Sequence, residues 1–462
     1  MKITVLGAAE TVTGSRYLVE TDKSKVLIDC GLFQGKRELR ERNWTNPPFD
    51  PSKITAVILT HAHIDHTGYL PRLWNLGFRG KVYTTYATEK LLGLILRDSA
   101  KLQEEEANYA NKVGSSKHKP ALPLYTSKDV EEVLRLVVSA PREKIITDIQ
   151  GIQFQYTRSG HILGASSVIL ESGGRRVTFS GDLGRYSAPL IPDPKPTLFG
   201  DLLFVESTYG DRLHQDQDPE AHFLKLIKES MVRGGPIMIP AFSVGRSQTL
   251  LYYIAKFERE GLIPTIPVFV DSPMAIEASK LYHQFNYDDD EEVSGVVKSK
   301  VIPIETRDLH FCQSVDQSKA INKERGPRII IAGSGMVNGG RILHHIKQNI
   351  SDPSATVLFV GFQSPGTRGD LIQKGEGDVK IYGELHKINA HVETISGFSA
   401  HGDQAELLRW FDQSKDNSAG NLPRQILTIH GELERVTKFA NKLADTYKLN
   451  ARPAKMYEEI DL

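Results

Sequence analysis

The sequence predicts an α/β protein of two or three domains, on three observations. Short apolar, β-branched runs alternate with helical patterns through most of the 462 residues. Turn residues bound many of those runs. The composition, 40% hydrophobic and 25% charged, is that of a globular chain long enough to bury a sizeable core. In order, the expected strands are Ile3–Leu6, Val26–Ile28, Ala56–Leu59, Val177–Ser180 and Leu202–Val205. Ile237–Ile239, Val268–Val270, Ile329–Ile331, Val357–Val360 and Ile426–Ile429 follow. Apolar residues spaced three and four apart predict helices over Thr88–Val113, Lys128–Val138, Pro219–Val232 and Ser247–Glu260, then Gly340–Ile350, Asp403–Phe411 and Glu432–Tyr447. Seams are expected after Glu206 and after Gly366, near the polar stretch Gln215–Asp218 and the Pro- and Gly-containing stretch Gln363–Gly369. The acidic run Asp288–Glu292 reads as a solvated loop.

Several function classes are excluded or left without support. Apolar runs such as Ala56–Leu59 are too short to cross a membrane, and the N-terminal stretch lacks the apolar core of a signal peptide. Cys30 and Cys312 are the only thiols, so a disulfide scaffold is excluded and a reducing, cytoplasmic setting is expected. Lys and Arg number 57, as do Asp and Glu, so net charge gives no argument for nucleic acid; a local basic groove stays open.

The strongest signal is Thr60-His61-Ala62-His63-Ile64-Asp65-His66-Thr67-Gly68, directly after a strand pattern. Three imidazoles and a carboxylate within six positions are hard to explain by packing. On a tight loop they would point at a common centre, and nitrogen with oxygen donors suits zinc or a similar metal. His161 in Ser159-Gly160-His161-Ile162-Leu163-Gly164, Asp182 in Ser180-Gly181-Asp182-Leu183-Gly184 and His430 in Thr428-Ile429-His430-Gly431-Glu432 offer further donors. Each is weak alone and gains force only beside the cluster, because loops after strands converge at one edge of an α/β sheet.

This set resembles the metallo-β-lactamase superfamily, whose fold is an αββα sandwich around a two-metal site. The resemblance implies two Zn2+ ions, with His61, His63 and His161 on one, Asp65, His66 and His430 on the other, and Asp182 bridging. Asp29, after the second strand, would support the histidine loop from behind. Phe204-Val205-Glu206-Ser207-Thr208-Tyr209-Gly210, Gly397-Phe398-Ser399-Ala400-His401-Gly402-Asp403-Gln404 and the His430 motif resemble the three further motifs of the β-CASP nucleases. That resemblance implies a metallo-β-lactamase domain in two parts, residues 1–208 and 370–462, around an inserted α/β β-CASP domain, residues 209–369. The chain is thus expected to be of the compact bacterial type, without the long C-terminal extension of the ribonuclease J group or N-terminal KH-like modules. His430 at this motif resembles the RNA-processing branch of that group, which tilts the reading to RNA over DNA, and the family's narrow cleft implies access by single-stranded RNA.

The implied chemistry is phosphodiester hydrolysis by a water activated between two zinc ions. Asp65 would also orient that water, His401 would protonate the leaving oxygen as general acid, and Glu206 would orient His401. Glu432 is expected to support His430. In the insert, Ser243 and Arg246 at a helix start and the turn containing Ser334 and Gly335 would contact RNA phosphates, with Arg341 and Arg368 as further candidates. The aromatic residues near these turns read as core. Two alternatives remain: a hydrolase of the same fold acting on DNA or on a small ester or phosphodiester, and an RNA-binding subunit without activity. The filled ligand positions argue against the second. Endonuclease and 5′-exonuclease action are not separated, and the oligomeric state is open, a homodimer included.

Overall fold

A computed structural model describes residues 1–114, 116–214, 218–284, 304–361, 363, 366–375 and 377–462. The acidic run at 288–292 lies outside the described residues. Two compact units emerge, Met1–Leu213 with His401–Leu462, and His214–Ala400. The chain therefore returns to the first unit at His401, later than the boundary at 370 expected from the sequence.

The strands in chain order begin with β1 (Lys2–Val5), β2 (Tyr17–Glu20), β3 (Lys25–Ile28), β4 (Ala56–Ile58), β5 (Lys81–Thr84) and β6 (Val137–Ser139). Next come β7 (Ile146–Ile149), β8 (Ile152–Arg158), β9 (Ser166–Ser172), β10 (Arg175–Phe179) and β11 (Leu202–Glu206). The second unit holds β12 (Pro236–Pro240), β13 (Val268–Asp271), β14 (Leu309–Phe311), β15 (Arg328–Ala332), β16 (Thr356–Phe359), β17 (Asp378–Ile381), β18 (Glu384–Lys387) and β19 (His391–Thr394). Back in the first unit are β20 (Gln425–Ile429), β21 (Ala451–Pro453) and β22 (Glu459–Asp461).

Two seven-stranded sheets build the first unit, in the orders β22-β1-β2-β3-β4-β5-β6 and β21-β20-β11-β10-β9-β8-β7. The period of two along each strand explains the layers. Val26, Ile28, Ala56 and Ile58 of one sheet and Val177, Phe179, Phe204 and Leu427 of the other share one core. The intervening residues Leu27 and Val57 face a second core with Leu70, Leu73, Leu92, Leu96 and Val130. On the far side, Leu203, Val205 and Ile426 pack with Leu407, Trp410, Phe411, Phe439 and Leu443. Helix, sheet, sheet, helix is the resulting order, the αββα sandwich that the motifs imply.

In the second unit, β14-β13-β15-β12-β16-β19 form a sheet whose pairings are all parallel. Met238, Ile330 and Val357 face Ile342, Leu343 and Ile346 of the helix Gly340–Asn349. Their alternates Ile237, Ile239, Ile329 and Ile331 are buried too, as in a parallel sheet covered on both faces. β19 pairs with β16 in this sheet, which is why the unit extends to Ala400.

The helix expected over Lys128–Val138 stops at Leu134, and Val137–Ser139 becomes edge strand β6 beside β5. The β-branched pair Val137-Val138 favours the pleated sheet over another helical turn. Among the described residues, no helix is long and apolar enough to cross a membrane.

Candidate metal centre

Just past β4, the chain turns through Thr60 and His61 into the one-turn helix Ile64–Thr67, with His63 at its N-cap. Thr67 Oγ1 closes this turn by donating to Ala62 O at 3.1 Å and His63 O at 3.0 Å. Gly31 packs under it so closely that a Cβ there would lie 1.6 Å from Asp65 O, so no side chain fits. The other donors also follow strands: His161 after β8, Asp182 after β10 and His430 after β20. β8, β10 and β20 run in the same direction, so all three leave from carboxyl ends. Asp29, after β3, and His430 both adopt left-handed backbone, φ 58° and 52°. That conformation is uncommon for such residues and clusters at functional sites.

The seven expected ligands come together. Nε2 of His61 and of His161 each lie 3.1 Å from His63 Nδ1 and 3.5 Å from Asp182 Oδ2. On the other side, His66 Nε2 is 3.3 Å from Asp182 Oδ1 and 3.3 Å from His430 Nε2, which is 3.3 Å from Asp65 Oδ2. Zinc bonds to nitrogen and oxygen run about 2.0–2.2 Å, so a tetrahedron around zinc has edges of about 3.3–3.6 Å. The donor separations match that edge to a few tenths of an ångström. Asp182 is buried and bordered by imidazole nitrogens, His66 Nε2 and His430 Nδ1 beside Oδ1, and His61 and His161 Nε2 beside Oδ2. A buried carboxylate among converging imidazole nitrogens is the donor chemistry of a divalent cation such as zinc. The residues therefore fit divalent metal, with Asp182 offering one oxygen to each set of donors.

Protonation agrees with the donor geometry. Burial pushes His61 and His161 well below the usual imidazole range and His63 down to about 4, so all three are neutral ligands. Burial opposes charge on Asp182, but neighbouring imidazoles, His430 and His66 foremost, outweigh it and hold the carboxyl well below its usual range. His66 differs. Burial opposes its charge, yet Asp182 and Asp29 together raise it well above the usual range, so a metal must displace its Nε2 proton. Asp29 grips the loop as well: Oδ1 accepts from Thr60 N at 2.7 Å, and Oδ2 meets His66 Nδ1 at 2.8 Å.

Glu206 ends β11, fully buried; its Oε1 accepts from Leu183 N at 2.9 Å and its Oε2 from Thr208 N at 2.9 Å. Oε1 also meets His401 Nδ1 at 3.0 Å. Burial disfavours the imidazolium of His401, but Glu206 outweighs it and raises the pKa. The His401 ring lies beside that of His161, 4.4 Å between centroids and tilted by 46°. A proton-bearing imidazole thus sits at the rim of the donor set, with Nδ1 held by Glu206.

Some expected residues are placed elsewhere. Glu432 is exposed at the start of the helix Leu433–Tyr447 and does not support His430. Thr208 does, with Oγ1 3.0 Å from His430 Nδ1. Ser15, which the sequence did not single out, adds a hydroxyl 3.2 Å from His66 Nε2. In the second unit, Ser243 follows β12 and Ser334 and Gly335 follow β15, neighbouring parallel strands whose loops leave from one edge of the sheet, and Arg246 opens the helix Arg246–Arg259. Arg341 is instead bound to Asp271 Oδ1 at 2.7 Å and to Cys312 O at 2.8 Å. Arg368 is bound to Val337 O at 2.8 Å and to Lys380 O at 3.0 Å. Both guanidiniums hold the unit's own backbone, which removes them from the phosphate candidates.

Three family descriptions match the chain. Residues 11–223 match the metallo-beta-lactamase superfamily, 247–372 the Beta-Casp domain, and 385–453 a Zn-dependent metallo-hydrolase RNA specificity domain. Ribonuclease TTHA0252 of Thermus thermophilus is 36% identical over 445 residues, 96% of each chain. Transcription termination factor FttA of Methanosarcina mazei is 30% identical over 476 residues, covering 100% of this chain and 72% of that protein. A crystal structure of a protein of unknown function from Enterococcus faecalis shares the fold, with a TM-score of 0.57 at 14% identity over 100% of this chain and 99% of that one.

Proposed function

The chain belongs to the metallo-beta-lactamase superfamily as a Beta-Casp, metal-dependent nuclease, and from that premise we propose that it hydrolyses single-stranded RNA with two zinc ions at the Asp182 centre. The observation that carries the reading is the Asp182 carboxylate, one oxygen toward His61 and His161 and the other toward His66. Two zinc ions bound there would supply the Lewis acidity that makes water nucleophilic near neutral pH and draws charge from the phosphoryl group. Asp65, a candidate ligand and partly exposed, would accept a hydrogen bond from the attacking water. As the P–O bond to the leaving ribose oxygen breaks, His401 gives that oxygen its Nε2 proton, and Glu206 stabilises and aims the ring through Nδ1.

RNA as the substrate class is supported by the RNA specificity match at 385–453 and by the ribonuclease relative. His430 supports RNA over DNA. Ser243, Arg246, Ser334 and Gly335 would bind backbone phosphates, which position a strand without reading its sequence. A cytoplasmic setting belongs to the same reading, supported by two buried, unpaired cysteines.

Asp29→Asn tests the support of the centre. Asn tolerates the left-handed backbone at this position, but its amide nitrogen would face the His66 Nδ1 proton. Zinc affinity, measured by competition with a chelating dye, should fall about 10–100-fold. Unchanged affinity would remove Asp29 from the zinc site.

The reaction itself is tested with single-stranded RNA labelled at either the 5′ or the 3′ end, with zinc and with chelator. Cleavage that requires the metal is expected; internal fragments would define an endonuclease, and mononucleotides released from the 5′ end an exonuclease. A zinc-loaded protein that leaves RNA intact would overturn the proposal.

A further inference from the structure

Phe242 lies in the turn between β12 and the helix Arg246–Arg259, and 53% of it is exposed. It departs from the expectation that aromatic residues near this turn belong to the core. Its backbone is fixed: Phe242 O accepts from Ser247 Oγ at 2.9 Å and from Ser247 N at 3.3 Å. The next carbonyl, Ser243 O, accepts from the buried Gln248 Nε2 at 3.1 Å. The ring rests against Gly335, where a Cβ would lie 3.1 Å from ring carbon Cε2. A glycine at 335 lets the ring settle directly on backbone. The result is an aromatic ring held on one side and open to solvent on the other.

Its surroundings are polar. Ser243 Oγ meets Ser272 Oγ at 3.0 Å. A Cβ on Gly333 would lie 3.8 Å from Ser243 Oγ and 4.0 Å from Ser272 Oγ, which places the next residue's turn beside both hydroxyls. Ser334 Oγ is screened from solvent without a hydrogen-bond partner among the described residues. Single exposed apolar side chains are common on protein surfaces. This one is different in kind, because its backbone is anchored, its ring lies on Gly335, and the adjoining turns carry the Ser243 and Ser334 hydroxyls. An apolar π-face next to hydroxyl donors matches a nucleotide, which carries a flat base and an anionic phosphate on one unit.

Resting on the reading that the substrate is RNA, we propose that Phe242 is a stacking platform for one base of the bound strand, beside a phosphate taken by Ser243 and Ser334. Every base offers a π-face, so the platform tolerates sequence and adds affinity without specificity. It is also preorganised, since the anchored turn has little freedom to lose on binding.

The test mixes the zinc-loaded, full-length protein with short single-stranded RNAs carrying 2-aminopurine at successive positions, read before turnover. Wild-type protein should quench the fluorophore at one register. Phe242→Ala and Phe242→Leu should lose that quenching and bind RNA about tenfold more weakly, while Phe242→Tyr retains both. Leucine keeps the apolar bulk on Gly335 without a π-face. If Phe242→Leu quenches and binds like wild type, the ring serves packing and the platform is refuted. RNA that wild-type protein cleaves without quenching at any register also refutes it, and leaves the ribonuclease reading intact. RNA that wild-type protein neither binds nor cleaves would sink that reading and the platform together.

Discussion

Asp182→Ala should empty both metal positions in one step. Each carboxylate oxygen faces a different histidine set, so the substitution removes one donor from each set. It also removes the carboxylate that both sets would share, which would offset the mutual repulsion of two divalent charges, large at low dielectric. Zinc measured per chain after dialysis should fall from two to near zero. RNA cleavage should drop by about a thousandfold or more, since metal-ion catalysis supplies several kcal/mol and each 1.4 kcal/mol is about tenfold in rate. Asp65→Ala is the contrast. Asp65 groups with His66 and His430, so one zinc should remain in the His61, His63 and His161 set. Two zincs per chain in Asp182→Ala would end the bridging assignment. Equal metal loss in both variants would mean that the two sets do not bind independently.

The sequence carried more of the centre than of the frame around it. The cluster at 61–66 was legible because ligand chemistry needs particular residue types within one tight turn. Asp182, His161 and His430 became legible only beside it, because a single strand-end residue has many ordinary reasons to be polar. Thr208 escaped because a hydroxyl that orients an imidazole looks like any turn threonine, and Glu432 was preferred for its charge although it points to solvent. The continuous apolar strands were visible, Ala56–Ile58 and Arg328–Ala332 among them. β8 was missed because Gln153 and Gln155 interrupt its apolar residues, as they must when one end of a strand is solvated. The unit boundary at Ala400 was hidden for another reason. β19 carries His391 and Glu393 on an exposed edge, so nothing in its composition announces that it completes the parallel sheet.

His401→Ala should cost RNA cleavage about 10²–10⁴-fold, the usual contribution of a positioned general acid, while both zincs stay bound. The residue lies outside the seven-ligand set, and its Nδ1 is committed to Glu206 at 3.0 Å. Loss of rate alone would not separate proton donation from a packing role beside His161, 4.4 Å away ring to ring. A change of leaving group does separate them. A ribose alkoxide needs a proton as it departs, whereas p-nitrophenolate leaves as a stable anion near neutral pH. Hydrolysis of bis(p-nitrophenyl) phosphate by His401→Ala should therefore fall far less than RNA cleavage. A positioning defect would slow both substrates alike, and a metal defect would appear as zinc loss. Equal loss on the two substrates with zinc retained would move His401 from proton donor to support of the ligand rings, and the search for the acid would turn to another group at the rim of the centre.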